Sequence, residues 1–561
     1  MKTRPWQKNY DYNVPTSINY PKIPVQNLLH IAAATFPHKS SIYFMGTELT
    51  FRQVRSQVLR MANALLEIGV KKSDRVGVAL PNCPQYVIAY YAALSIGAVV
   101  VNMNPHYAYD ELKFILNNSG IQTLFTYDEV LPVMEKLAEE LNLKNIIITK
   151  MTDYMNGMPA DIAANLQLNE RWRHFSKILD DSTVESMPDV EVTSDDVALI
   201  QYTGGTTGLP KGALITHGNI IAAVLQCTLA ANAITTYVPH SERRIMCVIP
   251  YFHIYGNIGC INCSIFNAAT QIILPRFEID EFLATVAKFD QITIFPGVPT
   301  MFTAIVNHPK TAELDLGSRI RLLNSGGAPI PVELIQKLKD MGIFFTEGWG
   351  MSETTTAGIC NPLLKQKVGS IGCPLPDNDV RLVDLETGLS DVPQGEPGEI
   401  MIKGPTIMKG YWNNPDETSN QLKDGWLLTG DIARMDEDGY FYIVDRKKDM
   451  IIAGGFNIYP READEVLFQH LKVSQAISVG VPDAYRGETV KAFVVLKPGE
   501  TASAQDIIDF CKARLAAYKV PKLVEFRTEL PTSAVGKILR KILRDEEKRK
   551  KEDIGRLEGA R

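Results

Sequence analysis

Apolar and polar residues alternate along this chain with two different periods, and their succession predicts an α/β protein. From about Asp74, the apolar run VGVALP is followed by the amphipathic stretch YVIAYYAALSIG, then by AVVVNMNP, YDELKFILNNSG and TLFTY. Short apolar runs of this kind are typical of buried strands, and the stretches between them have helical spacing. Strands that alternate with helices predict a parallel, doubly wound sheet.

A second region with the same alternation runs from Gln271 to Gly350. Its predicted strands are TIFPGVP, RLLNSGG and IFFTEG, and the predicted helices between them are PTMFTAIVNHP and PVELIQKLKDMG. A second doubly wound α/β region is therefore expected.

The pattern changes after Gly369 to short alternating segments such as VRLVDLETG and GEIMIKG, which predict a small β-rich unit. Beyond Asp449 the chain has its own strands, AISVGVP and KAFVVLKPG, and its own helices, READEVLFQHL and AQDIIDFCKARLAA, as in an α+β domain. We place the boundary in the segment DRKKD, residues 445–449, so that the predicted domains are residues 1–446 and 447–561.

Length and composition restrict the class of protein. A chain of 561 residues exceeds what one hydrophobic core usually serves, so two or more domains are expected. The formal net charge of −6 argues against nucleic acid as a main partner. The N-terminus has no apolar segment of a secretory signal, and eight scattered cysteines fit reduced thiols, so a cytoplasmic location is expected.

One long segment, from Ile245 to Pro275, contains no Asp, Glu, Lys or Arg. Pro250, His253 and several glycines and asparagines interrupt it, and no continuous apolar run approaches the roughly 20 residues that a membrane span requires. We therefore expect this segment to be buried inside the protein and predict no transmembrane segment. Peripheral membrane association and the oligomeric state stay open.

Residues 202–212, YTGGTTGLPKG, form a loop rich in glycine and hydroxyl groups with one cation, Lys211. Glycine allows close backbone approach, and hydroxyls and a lysine bind anions, so the composition suits a polyphosphate. It is not a Walker motif, because Pro210, Lys211 and Gly212 stand where that motif has Gly-Lys-Ser/Thr. The flanking runs VALI and ALIT predict a strand on each side. Taken alone, a glycine-rich hairpin loop without a ligand remains an alternative.

Two further motifs follow neighbouring predicted strands of the second α/β region. NSGGAP, residues 324–329, comes after one strand, and EGWGMSETT, residues 347–355, comes after the next. Ligands of doubly wound sheets bind at the carboxyl ends of the strands, where both motifs are expected. Trp349 offers a flat face to a base, Ser352 a hydroxyl, and Glu353 a hard oxygen ligand for Mg²⁺.

The remaining two motifs contribute charged side chains. GWLLTGD, residues 425–431, ends in Asp431, whose carboxylate can accept both hydroxyls of a ribose, and Arg446 follows as a fixed cation. PTSAVGKILRK, residues 531–541, carries Lys537 in the second predicted domain. Taken singly, a lone lysine such as Lys537 is most often a solvated surface residue.

The order of these five motifs resembles the adenylate-forming superfamily of acyl-CoA synthetases, adenylation domains and luciferases, over nearly the whole chain. The stretch from Asp424 to Leu467, DGWLLTGDIARMDEDGYFYIVDRKKDMIIAGGFNIYPREADEVL, is most similar to the fatty-acyl-CoA ligases. The resemblance implies a large N-terminal domain of two α/β subdomains plus a β-barrel, and a small mobile α+β C-terminal domain that carries the catalytic lysine.

The resemblance also implies roles for individual residues. Trp349 stands where the family usually has tyrosine, and Ser352 where it usually has threonine, and both substitutions keep the chemistry. His253 lies where the family has an aromatic residue or histidine near the carboxylate and thiol path, although a satisfied core histidine is the alternative. The implied set is catalytic Lys537, Glu353 and His253; Mg²⁺ near Thr203 and Glu353; ATP at Thr203, Gly204, Gly205, Thr206, Thr207, Gly208, Lys211, Gly327, Ala328, Glu347, Gly348, Trp349, Gly350, Ser352, Asp431 and Arg446; and hinge or coenzyme A contacts at Lys448, Gly454, Gly455 and Phe456.

The implied reaction joins a carboxylic acid to coenzyme A with ATP as the co-substrate, through an acyl-adenylate, and releases AMP and pyrophosphate. The charge-free segment is the expected wall of an acyl tunnel, which favours medium- to long-chain fatty acids. An acyl-CoA ligase for an aryl or alicyclic acid is the first alternative. A catalytically silent AMP-binding protein and a luciferase-like oxygenase are less favoured, because Lys537, Glu353 and Asp431 are intact and nothing marks an oxidation step.

Overall fold

The computed structural model describes residues 4–141, 143–155, 171–203, 210–453, 456–483, 485–534 and 536–559. The α-helices of these residues are α1 (Gln26–Thr35), α2 (Phe51–Glu67), α3 (Pro84–Ser95), α4 (Tyr109–Ser119), α5 (Leu131–Glu140), α6 (Phe175–Asp181), α7 (His217–Thr235), α8 (Ile254–Gly256), α9 (Cys263–Phe266), α10 (Ile279–Val286), α11 (Pro299–Asn307), α12 (Leu316–Arg319), α13 (Val332–Asp340), α14 (Pro415–Gln421), α15 (Pro460–Phe468), α16 (Ala504–Lys512) and α17 (Arg540–Gly559).

The strands are β1 (Ser40–Phe44), β2 (Thr47–Thr50), β3 (Arg75–Val78), β4 (Val99–Asn102), β5 (Thr123–Tyr127), β6 (Asn145–Thr149), β7 (Trp172–His174), β8 (Val197–Thr203), β9 (Lys211–Thr216), β10 (Arg244–Cys247), β11 (Thr270–Ile273), β12 (Ile292–Gly297), β13 (Ile320–Ser325), β14 (Phe344–Trp349), β15 (Ile359–Cys360), β16 (Cys373–Pro374), β17 (Asp379–Val383), β18 (Gly398–Lys403), β19 (Gly410–Tyr411), β20 (Leu422–Lys423), β21 (Trp426–Met435), β22 (Phe441–Arg446), β23 (Ile451–Ala453), β24 (Phe456–Ile458), β25 (Val473–Asp483), β26 (Gly487–Leu496) and β27 (Leu523–Phe526).

The first sheet has the strand order β19-β9-β8-β4-β3-β5-β6-β7. Its strands from β8 to β7 run parallel, as the alternating pattern after Asp74 predicts. β9 turns back antiparallel to β8, so that Thr203 pairs with Lys211 across the glycine-rich loop. The predicted strand on each side of that loop is therefore confirmed.

The second sheet has the order β16-β15-β14-β13-β12-β10-β11-β1-β2. β12, β13 and β14 run parallel, so the motifs that follow β13 and β14 lie side by side at one edge. The hairpin of β1 and β2 joins this sheet through β11, far from it in sequence. Helix α2 begins at Phe51 directly after β2, because the Thr50 side chain accepts from the Gln53 N–H and the Gln53 side chain accepts from the Thr50 N–H.

The remaining two sheets are small. β17, β18, β21, β20 and β22 form an antiparallel sheet, which is the β-rich unit expected after Gly369. β24, β23, β26, β25 and β27 form the sheet of the C-terminal α+β unit. The main hydrophobic cluster extends as far as Ile443, and separate clusters begin at Ile451. The segment 445–449 lies between them, and the boundary placed there stays a prediction.

One described helix, α7, has the length and apolar composition that a membrane crossing requires. Of the 18-residue apolar stretch of this helix, 44% is buried inside the protein. Ile220, Ala223 and Val224 pack in the main hydrophobic cluster. Core helices of globular proteins have the same length and composition, and α7 packs against the main hydrophobic cluster as such a helix does. The charge-free segment from Ile245 to Pro275 is buried over most of its length, as expected, and contains a π-helical turn at Asn257–Asn262.

Candidate active site

A cavity of about 980 Å³ lies where the ends of β8, β13 and β14 face the loops of the antiparallel sheet and the segment that carries Lys537. It brings together motifs that are separated by more than three hundred residues in the sequence. The predicted site residues that line it are Thr203, Lys211, His253, Gly327, Gly348, Trp349, Gly350, Ser352, Glu353, Asp431, Arg446, Lys448 and Lys537.

Other predicted residues do not line this cavity. Ala328 lies beside it, half-exposed, and Phe456 lies on the C-terminal unit, where its exposed ring stacks on Tyr518 with centroids 4.7 Å apart. The side chain of Glu347 is buried, but its strand neighbours Thr346 and Gly348 contribute to the lining instead. Gly204, Gly205, Thr206, Thr207, Gly208, Gly454 and Gly455 are outside the described residues.

Trp349, Asp431 and Arg446 form one connected group. The indole Nε1 of Trp349 donates to Asp431 Oδ2 at 2.8 Å, and Arg446 Nε lies 3.1 Å from Asp431 Oδ1. The register of β21 and β22 places Arg446 directly opposite Asp431. A side chain at Gly358 would bring a Cβ within 2.8 Å of the indole ring, so glycine lets the ring lie against the backbone. The group holds an aromatic face, a carboxylate and a cation in fixed positions.

Glu353 is a buried carboxylate, 5% exposed, in the turn after β14. Burial raises its pKa, and the Tyr411 hydroxyl and the charges of Arg446 and Lys211 oppose that shift. The Tyr411 hydroxyl lies 2.8 Å from Glu353 Oε1 and 2.8 Å from Gln421 Oε1, and donates to one of them at a time. A divalent cation beside Glu353 would favour its ionised form.

The donor set around Glu353 fits Mg²⁺. No group of three or more His, Cys, Asp or Glu side chains gathers as a metal site in the part of the chain that the structure describes. Mg²⁺ does not require such a group, because it commonly binds one or two carboxylates together with substrate phosphates and water. Glu353 offers the carboxylate, and the Thr203 hydroxyl lines the same cavity.

Lys211, the cation of the glycine-rich loop, is paired with a side chain that the sequence motifs did not indicate. Its Nζ forms an ion pair with Glu417 Oε1 on α14. Gln421 Nε2 donates to the same carboxylate oxygen at 2.9 Å, and the Lys211 ammonium lies 5.6 Å from the centre of the Tyr411 ring. The loop cation therefore has an anionic partner inside the cavity.

Lys537 enters the cavity on a tight loop of the C-terminal unit. The Ser533 N–H donates to the Lys537 carbonyl at 2.8 Å, and the Lys537 N–H donates to Ser533 Oγ at 3.2 Å. Gly536 has φ +73°, and a Cβ there would meet Thr300 Oγ1 at 2.5 Å, so only glycine lets the loop pack this closely against the start of α11. Burial and the charge of Arg446 lower the Lys537 pKa to about 7, whereas Asp431 opposes this shift.

His253 lines the same cavity and directly precedes α8. Its Nδ1 accepts from the Tyr255 N–H at 3.2 Å, so the ring caps the short helix. Burial, together with the nearby charge of Lys537, lowers the His253 pKa to about 4. His253 is therefore a neutral imidazole at pH 7, and it combines a capping role with a position in the cavity lining.

Arg540, three residues after Lys537, fixes the loop to the predicted hinge. Its guanidinium pairs with Asp464 and lies 3.6 Å from Asp445 and 3.8 Å from Asp449. Arg544 adds a contact of 3.2 Å to Asp449 and donates to the Lys448 carbonyl at 2.9 Å. The chain on both sides of the hinge is thus tied to the start of α17 while Lys537 lies in the cavity.

The cavity continues away from Lys537 into an apolar region between α7 and the charge-free segment. Tyr255 borders it and donates its hydroxyl to Asn324 Oδ1 at 2.7 Å. In the same region, Asn267 Nδ2 donates to Thr228 Oγ1 at 2.9 Å. The side chains and backbone of this region belong to Cys227, Thr228, Ala230, Ala231, Phe252, Ile254, Tyr255, Gly259, Cys263 and Asn267.

Comparisons with known proteins agree with this arrangement. The family described as AMP-binding enzyme matches residues 29–412, and the AMP-binding enzyme C-terminal domain matches residues 462–537. A long-chain-fatty-acid–CoA ligase of Bacillus subtilis strain 168 is 42% identical over 557 residues, covering 97% of this chain and 98% of that protein. A ligase of the same name from Salmonella typhimurium is 37% identical over 562 residues, with coverage of 96% and 98%.

Solved structures show the same architecture. An anthranilate CoA ligase in complex with anthranoyl-AMP superimposes with a TM-score of 0.84 at 27% identity, covering 94% of this chain and 98% of that one. A fatty acyl CoA synthetase of Mycobacterium tuberculosis gives a TM-score of 0.69 at 29% identity, with coverage of 93% and 98%. Fold and cavity define a nucleotide-binding, two-part α/β protein. The chain belongs to the AMP-binding enzymes, and the family resemblance drawn from the five motifs is confirmed.

Some residues of the cavity could not be found from the motifs. Tyr411 and Glu417 lie in a polar stretch after the β-rich unit begins, and no local spacing connects them with Glu353 or Lys211. Asn102 and Gln201, at the ends of β4 and β8, also line the cavity and bond to each other at 3.1 Å. Their position near the carboxyl ends of two adjacent parallel strands was the only available signal.

Proposed function

We propose that the protein is an ATP-dependent, AMP-forming acyl-CoA ligase that acts on medium- to long-chain fatty acids in the cytoplasm. The observation that carries the proposal is that Lys537 enters the same cavity as Lys211, Glu353 and the Trp349–Asp431 pair, at the mouth of an apolar region. The names of the Bacillus and Salmonella relatives support the class of reaction and of substrate.

The first half-reaction is proposed to be an attack of the substrate carboxylate on the α-phosphorus of ATP. A P–O bond forms to the carboxylate, and the bond between the α- and β-phosphates breaks, so that pyrophosphate leaves. An anion attacks a polyanion in this step, so neutralising charge is the main task. We propose that Lys211 contacts the β- and γ-phosphates and that Lys537 contacts the α-phosphate and the carboxylate.

The nucleoside is proposed to lie against Trp349, with its ribose hydroxyls at Asp431. Mg²⁺, held by Glu353 and Thr203 together with the phosphates, would supply charge neutralisation as a Lewis acid. Arg446 holds Asp431 in place, because the two side chains are paired. Gly327 and Gly348 leave space at the ends of β13 and β14, where nucleotides bind in such sheets.

In the second half-reaction the thiol of coenzyme A attacks the acyl carbon, the C–S bond forms, and AMP leaves with the oxygen that bridged it to the acyl group. Lys537 has no task in this step. We propose that the C-terminal unit rotates about Lys448, which withdraws Lys537 and brings the segment of Gly454, Gly455 and Phe456 toward the site. His253 remains on the wall beside the reacting carbonyl.

The acyl chain is proposed to occupy the apolar region between α7 and the charge-free segment. An aryl or alicyclic acid is the second candidate, since the chain also resembles an anthranilate CoA ligase in structure and a feruloyl-CoA synthase of Amycolatopsis at 36% identity over 507 residues. The polar Asn267–Thr228 pair in the lining of this region is the specific feature that would suit a ring with a polar substituent.

The test is a pyrophosphate-release assay with carboxylates from acetate to palmitate and with benzoate, with and without coenzyme A. Release of AMP together with a thioester, greatest for acids of roughly ten carbons or more, is expected. Greater activity with benzoate than with any fatty acid would favour the second candidate. Absence of AMP and thioester with every acid would contradict the proposal.

A further inference from the structure

Glu417 is a carboxylate inside the cavity that the proposed reaction does not use. It is held by Gln421 at 2.9 Å and forms an ion pair with Lys211, and both charged side chains line the cavity. Their side chains are only partly buried, 28% exposed for Lys211 and 25% for Glu417, so the pair is accessible to a ligand in the cavity.

A carboxylate at this position has two consequences for a triphosphate. It forms an ion pair with the Lys211 ammonium, so a phosphate must compete with it for that cation. It also places a negative charge beside the bound phosphates. Both effects oppose binding of ATP. Both also oppose retention of pyrophosphate, which carries its charge in the same place and must leave before the second half-reaction can finish.

We propose that Glu417 is a competing counter-ion of the triphosphate site, which weakens ATP binding and promotes release of pyrophosphate by taking back Lys211. This inference rests on the proposed function in one respect, the assignment of Lys211 to the β- and γ-phosphates. The proposed role and a structural role for Glu417 predict opposite effects on ATP affinity. A residue that merely held Lys211 in place would strengthen ATP binding, whereas a competing counter-ion weakens it.

The neighbouring side chains allow Lys211 to keep its position when the carboxylate is neutralised. The ammonium also faces the Tyr411 ring, and a glutamine at position 417 retains the length needed to contact Gln421. Tyr411 connects this group to Glu353, so the change alters the charge beside the metal-binding carboxylate without removing any of its contacts.

The experiment compares Glu417→Gln with the wild-type enzyme in ATP binding, in KM for ATP and in product inhibition by pyrophosphate. Glu417→Gln should bind ATP about tenfold more tightly, and pyrophosphate should inhibit it at about tenfold lower concentration. Asp416→Asn is the matched control, since it removes the same charge from an exposed neighbour on α14 and should change both values less than twofold.

Two further measurements separate the possible outcomes. Unchanged or weaker ATP binding by a Glu417→Gln variant whose unfolding temperature matches the wild type would overturn the inference, and a raised Mg²⁺ requirement would identify Glu417 as a metal ligand instead. Lys211→Met tests the underlying assignment. If Lys211→Met leaves ATP affinity unchanged, the phosphate role of Lys211 fails and this inference fails with it; if only Glu417→Gln fails, the proposed function stands.

Discussion

The Trp349 indole donates a hydrogen bond of 2.8 Å to the Asp431 carboxylate, 82 residues further along the chain. The bond joins the end of β14 in the second α/β sheet to β21 of the antiparallel sheet. The indole ring also lies against Gly358. The hydrogen bond and this contact together fix the plane of the ring. One flat aromatic surface and one carboxylate are therefore held as a unit at the proposed nucleoside position.

Trp349→Ala should weaken ATP binding by about 1 kcal/mol, or about fivefold, because a stacking face is lost. Trp349→Phe keeps a ring but loses the hydrogen bond to Asp431, so an intermediate loss is expected. Equilibrium binding of ATP checks both variants. Trp426→Ala, at a tryptophan that does not line the cavity, serves as the control. ATP affinity equal to the wild type in both Trp349 variants would remove this residue from the nucleotide site.

Asp431→Ala should also weaken ATP binding, since the ribose hydroxyls would lose their acceptor and Arg446 its partner. An adenosine analogue without ribose hydroxyls provides the comparison. The wild-type enzyme should bind this 2′,3′-dideoxy analogue of ATP more weakly than ATP, whereas the Asp431→Ala variant should bind the two nucleotides equally. A variant that still distinguishes the two nucleotides as well as the wild type does would contradict the assignment.

Binding of MgATP at pH 8 should be accompanied by proton uptake. The Lys537 pKa of about 7 means that the amine is mostly neutral at pH 8, and an adjacent phosphate raises that pKa. The expected uptake is about 0.9 of a proton if the bound amine becomes fully charged. Calorimetry in two buffers of different ionisation enthalpy measures it. Lys537→Met should lose this uptake, and equal uptake by both proteins would exclude Lys537 as its source.

Arg540→Ala should destabilise the C-terminal unit by about 3–5 kcal/mol, because Asp464, Asp445 and Asp449 would lose a buried cation. Urea unfolding followed by a signal from this unit checks the value. Lys548→Ala, at an exposed position of the same helix, should change stability by less than about 0.5 kcal/mol. A loss below 1 kcal/mol in Arg540→Ala would show that these contacts are not stabilising.

Lys537→Ala and Lys448→Pro should separate the two half-reactions. Lys537→Ala should lose adenylate formation by a factor of about 10² or more, yet convert supplied acyl-adenylate to thioester. Lys448→Pro should form adenylate but fail in the second step, because a fixed φ resists rotation at the hinge. Each step is assayed separately with synthetic acyl-adenylate. Equal impairment of both steps in Lys537→Ala would show that no such domain alternation occurs.

The sequence was sufficient for the elements whose signal is local. Helices such as α4 and α11 and strands such as β5 and β13 lie where hydrophobic periodicity predicts them. The β1–β2 hairpin was not predicted to join the second sheet, because its pairing with β11 joins segments that are more than two hundred residues apart. The π-helical turn at Asn257–Asn262 lies in an apolar run that has no distinguishing period.

The residues of the candidate site also fall into those that local sequence motifs predict and those that only tertiary packing brings into place. Motifs placed at strand ends, such as those of Gly327 and Trp349, reach the cavity because strand direction already determines the sheet edge. Glu347 belongs to the same motif, but its side chain is buried and does not line the cavity, and burial raises its pKa to about 7. Glu417 approaches Lys211 only through the packing of α14, which no local pattern encodes.

The central claim, that a free carboxylate is activated as an acyl-adenylate, has one direct test. The enzyme is supplied with a long-chain fatty acid labelled with ¹⁸O in both carboxylate oxygens, together with MgATP and coenzyme A, and the products are analysed by mass spectrometry. One labelled oxygen should appear in each AMP, because the carboxylate oxygen that attacks the α-phosphorus stays with AMP when the thiol displaces it. Unlabelled AMP, or label in pyrophosphate or inorganic phosphate, would contradict the account.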